Sequence, residues 1–112
     1  RQPLETFSHG EGFLAFFQAR IHPGGLYLID EPEAALSPEK QFALGALILE
    51  RARDGACQFI VATHSPILLS LPLAGIWRFG AGELETVAYS DLEPVRFIEQ
   101  FLRNPDAFWR RL

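Results

Sequence analysis

Residues 26–29 form an uninterrupted apolar run, Leu-Tyr-Leu-Ile, that ends in Asp30, Glu31 and Pro32. A short apolar run bounded by turn residues is typical of a strand buried on both faces of a parallel sheet. We therefore expect the two acids at the carboxyl end of a central strand. Ligands of open α/β sheets bind at that edge, and adjacent carboxylates suit a hydrated Mg²⁺ and the activation of a water molecule. A strand that ends in a solvated acidic turn explains the same residues equally well.

A second predicted strand, residues 58–62 with the apolar run 59–62, follows a helical pattern that starts at Ser37-Pro38 and extends to about Arg53. Ser37 is a good N-cap and Pro38 suits the first helical position. Strand, helix and strand in succession predict a crossover connection and parallel pairing. The second strand ends in Thr63-His64-Ser65-Pro66, so His64 is expected at the same sheet edge as the two acids. That placement favours a functional role over that of a hydrogen-bonded structural histidine.

The first helical pattern opens at Ser8-His9-Gly10-Glu11-Gly12 and runs to Arg20. Ser8 and Glu11 have the spacing of a capping box, in which each side chain satisfies a backbone N–H of the other. The glycines are not explained by capping, because glycine in a helical turn costs about 0.5–1 kcal/mol relative to alanine. They are explained if an anion approaches the free N–H groups at the helix start.

The remaining segments carry less chemistry. Residues 76–79 and 84–89 predict an antiparallel hairpin that extends the sheet. Ser90 and Glu93 predict a capping box and a helix to about Arg103, and a short last helix is expected from Asn104. Glu33 is interpreted as a solvated loop acid, because Pro32 turns the chain before it.

Composition restricts the function classes. The chain has 112 residues, 48% of them hydrophobic, a net charge of −4 and one lysine, Lys40, which argues against a nucleic-acid surface. It contains no apolar run long enough for a membrane span, so a cytoplasmic location is expected. The single cysteine, Cys57, is expected to be a small buried residue. Because methionine is absent, even at position 1, we expect the chain to be part of a longer protein.

Taken in order, these segments resemble the carboxyl-terminal half of an ABC-type ATPase domain. The closest resemblance is to soluble stand-alone ATPases of the AAA/ABC class that carry a Ser-His-Gly-Glu signature. The matching positions are the signature motif at residues 8–11, Walker B at residues 26–31, the D-loop at residues 35–37 and the switch histidine His64. The resemblance covers residues 1–112 and implies an α/β, P-loop NTPase-like half-domain, with parallel strands, crossover helices, a C-terminal β-hairpin and helices.

The resemblance also implies roles for individual residues. Asp30 would hold Mg²⁺, Glu31 would deprotonate the attacking water, and His64 would bond to the γ-phosphate. ATP would be held between two protomers of a dimer. Its other contacts would come from Ser8, His9, Gly10, Glu11, Ala35, Leu36 and Ser37.

The sequence departs from the family pattern in three places. His9 and Glu11 replace residues of the commoner Leu-Ser-Gly-Gly-Gln signature, and Ser37 replaces the D-loop aspartate. A phosphate-binding loop of the form Gly-x-x-x-x-Gly-Lys-Ser/Thr cannot be assembled, because Lys40 lies in a helical pattern without a preceding glycine loop. The Walker A half is therefore expected upstream or on another chain.

We predict an intracellular ATPase of the stand-alone kind. One alternative is the nucleotide-binding subunit of a transporter, and another is a non-catalytic interaction module that keeps the ATPase fold. The presence of both Glu31 and His64 disfavours the module, because nothing structural requires both. A metal-dependent hydrolase with Asp30, Glu31 and His64 as ligands is weaker, because neighbouring residues of a strand point to opposite faces.

Overall fold

The computed structural model describes residues 9–112, with side chains from residue 12 onward. The chain forms two compact units, the first ending at Pro72 and the second spanning Leu73–Leu112. The first unit contains α1 (His9–Arg20), β1 (Leu26–Asp30), a 3₁₀ turn (Pro32–Ala35), α2 (Pro38–Asp54), β2 (Gln58–Ala62) and α3 (Pro66–Leu69). The second contains β3 (Trp77–Gly80), β4 (Glu83–Thr86), a 3₁₀ turn (Tyr89–Asp91), α4 (Glu93–Arg103) and α5 (Pro105–Trp109).

The sheet of the first unit consists of β1 and β2, which run parallel. Leu26 lies opposite Gln58 at one end, and Asp30 lies opposite Ala62 at the other. The helix α2 connects the two strands, as the order of apolar runs predicts. Parallel pairing and the bounds of the second strand are therefore confirmed, and the carboxyl ends of both strands lie at one edge.

One face of this sheet is covered and the other is open. The core contains side chains from both long helices and from alternate strand positions: Phe17, Ile29, Leu36, Leu44, Ile48 and Leu68, with Phe59 and Val61 packed against them. The intervening strand residues remain largely accessible, with Leu26 60%, Leu28 74% and Ile60 56% exposed. The expectation of burial on both faces is therefore wrong within the described first unit, because the helices of that unit pack against a single face of the sheet.

Two helices of the first unit begin with the same Ser-Pro pair. The Ser37 hydroxyl oxygen accepts a hydrogen bond from the Lys40 backbone N–H at 3.3 Å, which confirms the predicted cap. The Ser65 hydroxyl oxygen accepts one from the Leu68 backbone N–H at 3.2 Å and caps α3, a helix that the sequence analysis missed. The signal was present, since serine followed by proline is typical of N-cap and N1 positions.

The second unit contains the predicted hairpin as a sheet of its own. Strands β3 and β4 pair antiparallel, with Arg78 opposite Glu85, and their side chains form an ion pair at 3.1 Å. Ala81 and Gly82 both have positive φ, as the tight turns of two-residue hairpins require. The expected extension of the first sheet is wrong, because in the described part of the chain each sheet has two strands.

The predicted capping box before α4 is also wrong. Ser90 lies in the 3₁₀ turn, and α4 begins at Glu93 after Leu92, whose side chain has no cap hydrogen bond to offer. An aromatic cluster holds α4 against α5, with the Phe101 and Phe108 ring centroids 5.4 Å apart. Packing of apolar side chains, not a polar cap, therefore fixes this helix pair.

Cys57 is buried, as expected, and its thiol donates to the His22 carbonyl oxygen at 3.2 Å. None of the helices in residues 9–112 is both long and apolar enough to cross a bilayer. The cytoplasmic location stays a prediction.

Candidate functional site

The polar residues that follow β1 and β2 meet at the carboxyl edge of the sheet. Glu31 leaves β1 with a left-handed backbone (φ 46°, ψ 58°), and its N–H donates to the Ala62 carbonyl oxygen at 2.7 Å. This conformation is uncommon for a residue with a Cβ, and residues held in such regions cluster at functional sites. The turn at Glu31 therefore ends the strand at Asp30 and redirects the chain.

Glu31 and His64 form a side-chain pair across this edge. A Glu31 carboxylate oxygen, Oε1, lies 3.0 Å from His64 Nδ1. Both side chains are accessible, the imidazole 78% and the carboxylate 54% exposed. The predicted convergence of these two residues is confirmed. Asp30 ends β1 one residue earlier, and it alternates with the exposed positions Leu26 and Leu28.

Glu33 contributes an unexpected contact to the same edge. Its Oε1 accepts a hydrogen bond from the Thr63 hydroxyl at 2.5 Å, and its Oε2 accepts one from the His64 backbone N–H at 2.8 Å. The interpretation of Glu33 as a solvated loop acid is therefore wrong, because the 3₁₀ turn Pro32–Ala35 brings the residue to the end of β2. No local signal identifies this contact, since it joins residues 30 positions apart in the chain.

The ionisation of Glu33 reflects these bonds. Burial, the largest single influence, raises the pKa of the carboxyl. The hydrogen bonds from Thr63 and from the His64 backbone act in the opposite direction and, with the remaining interactions, hold the pKa below its ordinary value of 4.5. Hydrogen bonds to the charged form favour that form. The carboxylate is thus ionised at neutral pH and accepts both bonds.

A second link joins the two loops through α2. Ser65 is only 4% exposed, and its hydroxyl donates to the side-chain oxygen of Gln41. The Gln41 amide nitrogen donates to the Leu36 carbonyl oxygen at 3.0 Å. The sequence analysis missed Gln41, because a glutamine within a helix carries no local indication of a partner in a distant loop.

The structure describes some of the predicted nucleotide-binding residues fully, some only in their backbone, and one not at all. Ser8 and its capping box with Glu11 lie outside the described residues. His9, Gly10 and Glu11 belong to the first turn of α1, without described side chains. In the predicted D-loop, Ala35 is half-buried, Leu36 is a core residue and Ser37 is exposed. The role of all seven positions toward a nucleotide stays a prediction.

One group of metal-capable side chains forms in the described part of the chain. Single ligand atoms of Glu31, Glu33 and His64 lie within 4.8 Å of one another. Asp30, which the hydrolase alternative requires, is replaced in this group by Glu33. Both Glu33 oxygens already accept hydrogen bonds, so the group offers fewer open ligand positions than its composition suggests.

Residues 11–70, just over half of the chain, match the family described as "AAA domain, putative AbiEii toxin, Type IV TA system". The chain belongs to this AAA domain family. It is also similar to "Structural maintenance of chromosomes protein 3" of Arabidopsis thaliana, at 43% identity over 89 residues. That alignment covers 78% of this chain and 7% of the relative, so the chain spans a small part of that protein's length.

A solved structure from work on "ATP-driven dimerization and DNA stimulated activation of SMC ATPases" has a similar fold. The TM-score is 0.62, with 23% identity over 92% of this chain and 66% of the other. The predicted fold class, α/β of the P-loop NTPase kind, is confirmed. Membership in an ATPase family is shown by the AAA domain match, whereas the Ser-His-Gly-Glu signature is not specifically supported.

Proposed function

We propose that this AAA domain chain supplies the water-activating and phosphate-sensing residues of an ATPase, with ATP held between two protomers. The observation that carries the proposal is the Glu31–His64 pair, 3.0 Å apart at the carboxyl edge of two parallel strands. Ligands of open α/β sheets bind at this edge. Because the chain belongs to an AAA domain family, ATP is the ligand that we expect at this edge.

Asp30 is the residue that fits Mg²⁺. Its carboxylate is accessible at the end of β1, and Mg²⁺ prefers one or two carboxylates with water and phosphate oxygens as its other ligands. Glu33 fits less well, because two donors already occupy its oxygens. When bound, Mg²⁺ neutralises charge on the phosphate oxygens.

Glu31 and His64 then have separate tasks. His64 faces Glu31 through Nδ1, which leaves Nε2 as the ring atom that can contact a phosphate oxygen. Glu31 has a second carboxylate oxygen with which to accept a proton from the attacking water. Its left-handed backbone directs the chain away from β1, so Asp30 and Glu31 are not restricted to the alternation of a strand.

We infer that the Walker A half, upstream in the same protein or on a partner chain, completes the domain. The open sheet face supports this inference, because Leu26, Leu28 and Ile60 expose apolar surface that a complete α/β sheet covers. The proposed dimer contacts remain Ser8 and Gly10 of the signature, which would offer a hydroxyl and a backbone N–H, and the exposed Ser37.

The test compares Glu31→Gln with Asp30→Asn in the full-length protein. Glu31→Gln keeps the shape of the side chain and removes its basicity, so turnover should fall by about 10²–10⁴-fold while ATP binding survives and an ATP-bound dimer accumulates. Asp30→Asn should instead weaken Mg²⁺-dependent ATP binding. Steady-state ATPase assays, nucleotide titration and sizing chromatography with ATP measure the three quantities.

Two results would contradict the proposed function. Turnover by Glu31→Gln at close to the parental rate would remove Glu31 from the role of base. A parental protein that binds a partner chain but neither binds nor hydrolyses Mg·ATP would identify a non-catalytic interaction module.

A further inference from the structure

The position of the His64 ring depends on its backbone. The imidazole is 78% exposed, so packing contributes little to its placement. Its ring contact is with Glu31, which is itself 54% exposed. The backbone N–H of His64, by contrast, donates to the half-buried Glu33 at 2.8 Å. The more firmly held part of His64 is therefore its main chain.

Both oxygens of the Glu33 carboxylate participate in this contact. Oε1 accepts from the Thr63 hydroxyl and Oε2 from the His64 N–H, so rotation of the carboxylate would break one bond or the other. The Thr63 hydroxyl oxygen also accepts from the Ser65 N–H at 3.0 Å. Three successive residues of the loop after β2 are thus tied, directly or through Thr63, to one carboxylate in the loop after β1. Hydrogen bonds to an ionised acceptor are stronger than neutral ones.

We propose that Glu33 is a positioning residue for the reaction, which holds the Thr63–His64 backbone so that the His64 imidazole faces Glu31 and the phosphate. The proposal rests on the proposed function, because it assigns Glu33 to the support of the phosphate-sensing histidine. Glu33 itself contacts neither nucleotide nor water in this mechanism. It acts through His64.

A double-mutant cycle in the full-length protein tests the proposal. Glu33→Ala should lower kcat by about 10–100-fold, the loss expected when a reacting group is displaced by about 1 Å, and should leave the KM for ATP within about twofold. In a His64→Ala background the same change should lower kcat by less than about twofold, because residues that act as one unit are not additive. Glu39→Gln, an exposed acid in the first turn of α2, is the matched control and should leave kcat unchanged.

A role in stability alone predicts a different pattern. Glu33→Ala would then lower the melting temperature and either change kcat by less than about twofold in the parental background or lower kcat by the same factor in both backgrounds. Either result would overturn the proposal. Should Glu33→Ala fail to fold, Glu33→Gln takes its place in the cycle, since it keeps the shape and one acceptor while replacing the other oxygen by a donor.

Hydrogen exchange at the His64 amide provides a readout that needs no catalysis. Loss of the Glu33 carboxylate should raise exchange at His64 by at least about tenfold, with the amides of α2 unchanged. Unchanged protection of His64 would show that Glu33 does not hold it. Absence of ATP turnover in the parent, or a His64→Ala variant as active as the parent, would count against the proposed function, whereas the exchange experiment would still decide whether Glu33 anchors the loop.

Discussion

The loops that follow β1 and β2 end in the same Ser-Pro pair but use it differently. Ser37 caps α2 while its side chain remains accessible. Ser65 caps α3 and is 4% exposed, with a further hydrogen bond to Gln41. Both serines satisfy a helix N-terminus, so their local structures are alike. Their surroundings separate them, because one serine faces solvent and the other is enclosed between α2 and α3.

This difference indicates how the two loops divide their tasks. The loop after β2 is tied down at Thr63, His64 and Ser65, which suits a loop that must place a histidine. The loop after β1 buries Leu36 but leaves Ser37 at the surface, which suits the proposed contact with a second protomer. A serine that caps a helix can therefore belong to the core or to an interface, depending on what packs over it.

The largest effect should come from Ser65→Ala. The substitution removes the cap of α3 and leaves the Gln41 side-chain oxygen without its donor in a part-buried site. We expect the free energy of unfolding to fall by about 1–3 kcal/mol, the cost of a polar group left without its partner together with a lost cap. Urea denaturation of the full-length protein measures the change. A loss no greater than that of Ser37→Ala would remove the distinction between the two serines.

A smaller effect is expected from Ser37→Ala. Only the exposed cap of α2 is lost, so the free energy of unfolding should fall by about 1 kcal/mol. Ser37→Asp should retain the parental stability, since aspartate is an equally good N-cap. Thermal denaturation of both variants provides the comparison, and sizing chromatography with ATP shows whether the hydroxyl also contributes to dimerisation. A large loss of stability in Ser37→Asp would mean that the position is not governed by capping.

The smallest effect involves Glu33 and is lost at acidic pH. Its pKa in the folded protein is below the ordinary value of 4.5, so ionised Glu33 contributes stability that is fully present above pH 4.5. That contribution is lost as the pH falls through the lowered pKa of the folded state. The stability difference between the parent and Glu33→Gln should therefore shrink as the pH decreases from 7 toward 3. A difference that is constant over this range would show that the Glu33 charge does not stabilise the loop contact.

Local patterns were sufficient for much of the first unit. The predicted strand at residues 58–62 coincides with β2, and Ser37-Pro38 marks the start of α2. Parallel pairing followed from the strand, helix and strand order, and with it the approach of Glu31 to His64. These predictions succeed because periodicity, capping and strand order depend on residues that are near one another in the chain.

Other features escaped the sequence analysis because they depend on distant residues. The apolar sequence of β1 does not indicate that Leu28 is exposed, since burial depends on which helices are present to cover each face. The residues next to Glu33 in the sequence do not indicate its contacts either. An acid after a proline is usually solvated, and only the 3₁₀ turn brings this one within reach of Thr63 and His64.

The sequence by itself determined the order of β1, α2 and β2, the start of α2 and the edge at which Glu31 and His64 meet. The tertiary structure decided which of two similar serines is buried, which sheet face stays open, and that Glu33 holds the backbone of His64. The physical reason is the range of the interactions. Caps and periodic patterns are satisfied within a few residues, whereas burial and the hydrogen-bond partners of a carboxylate are settled only when separate segments pack together.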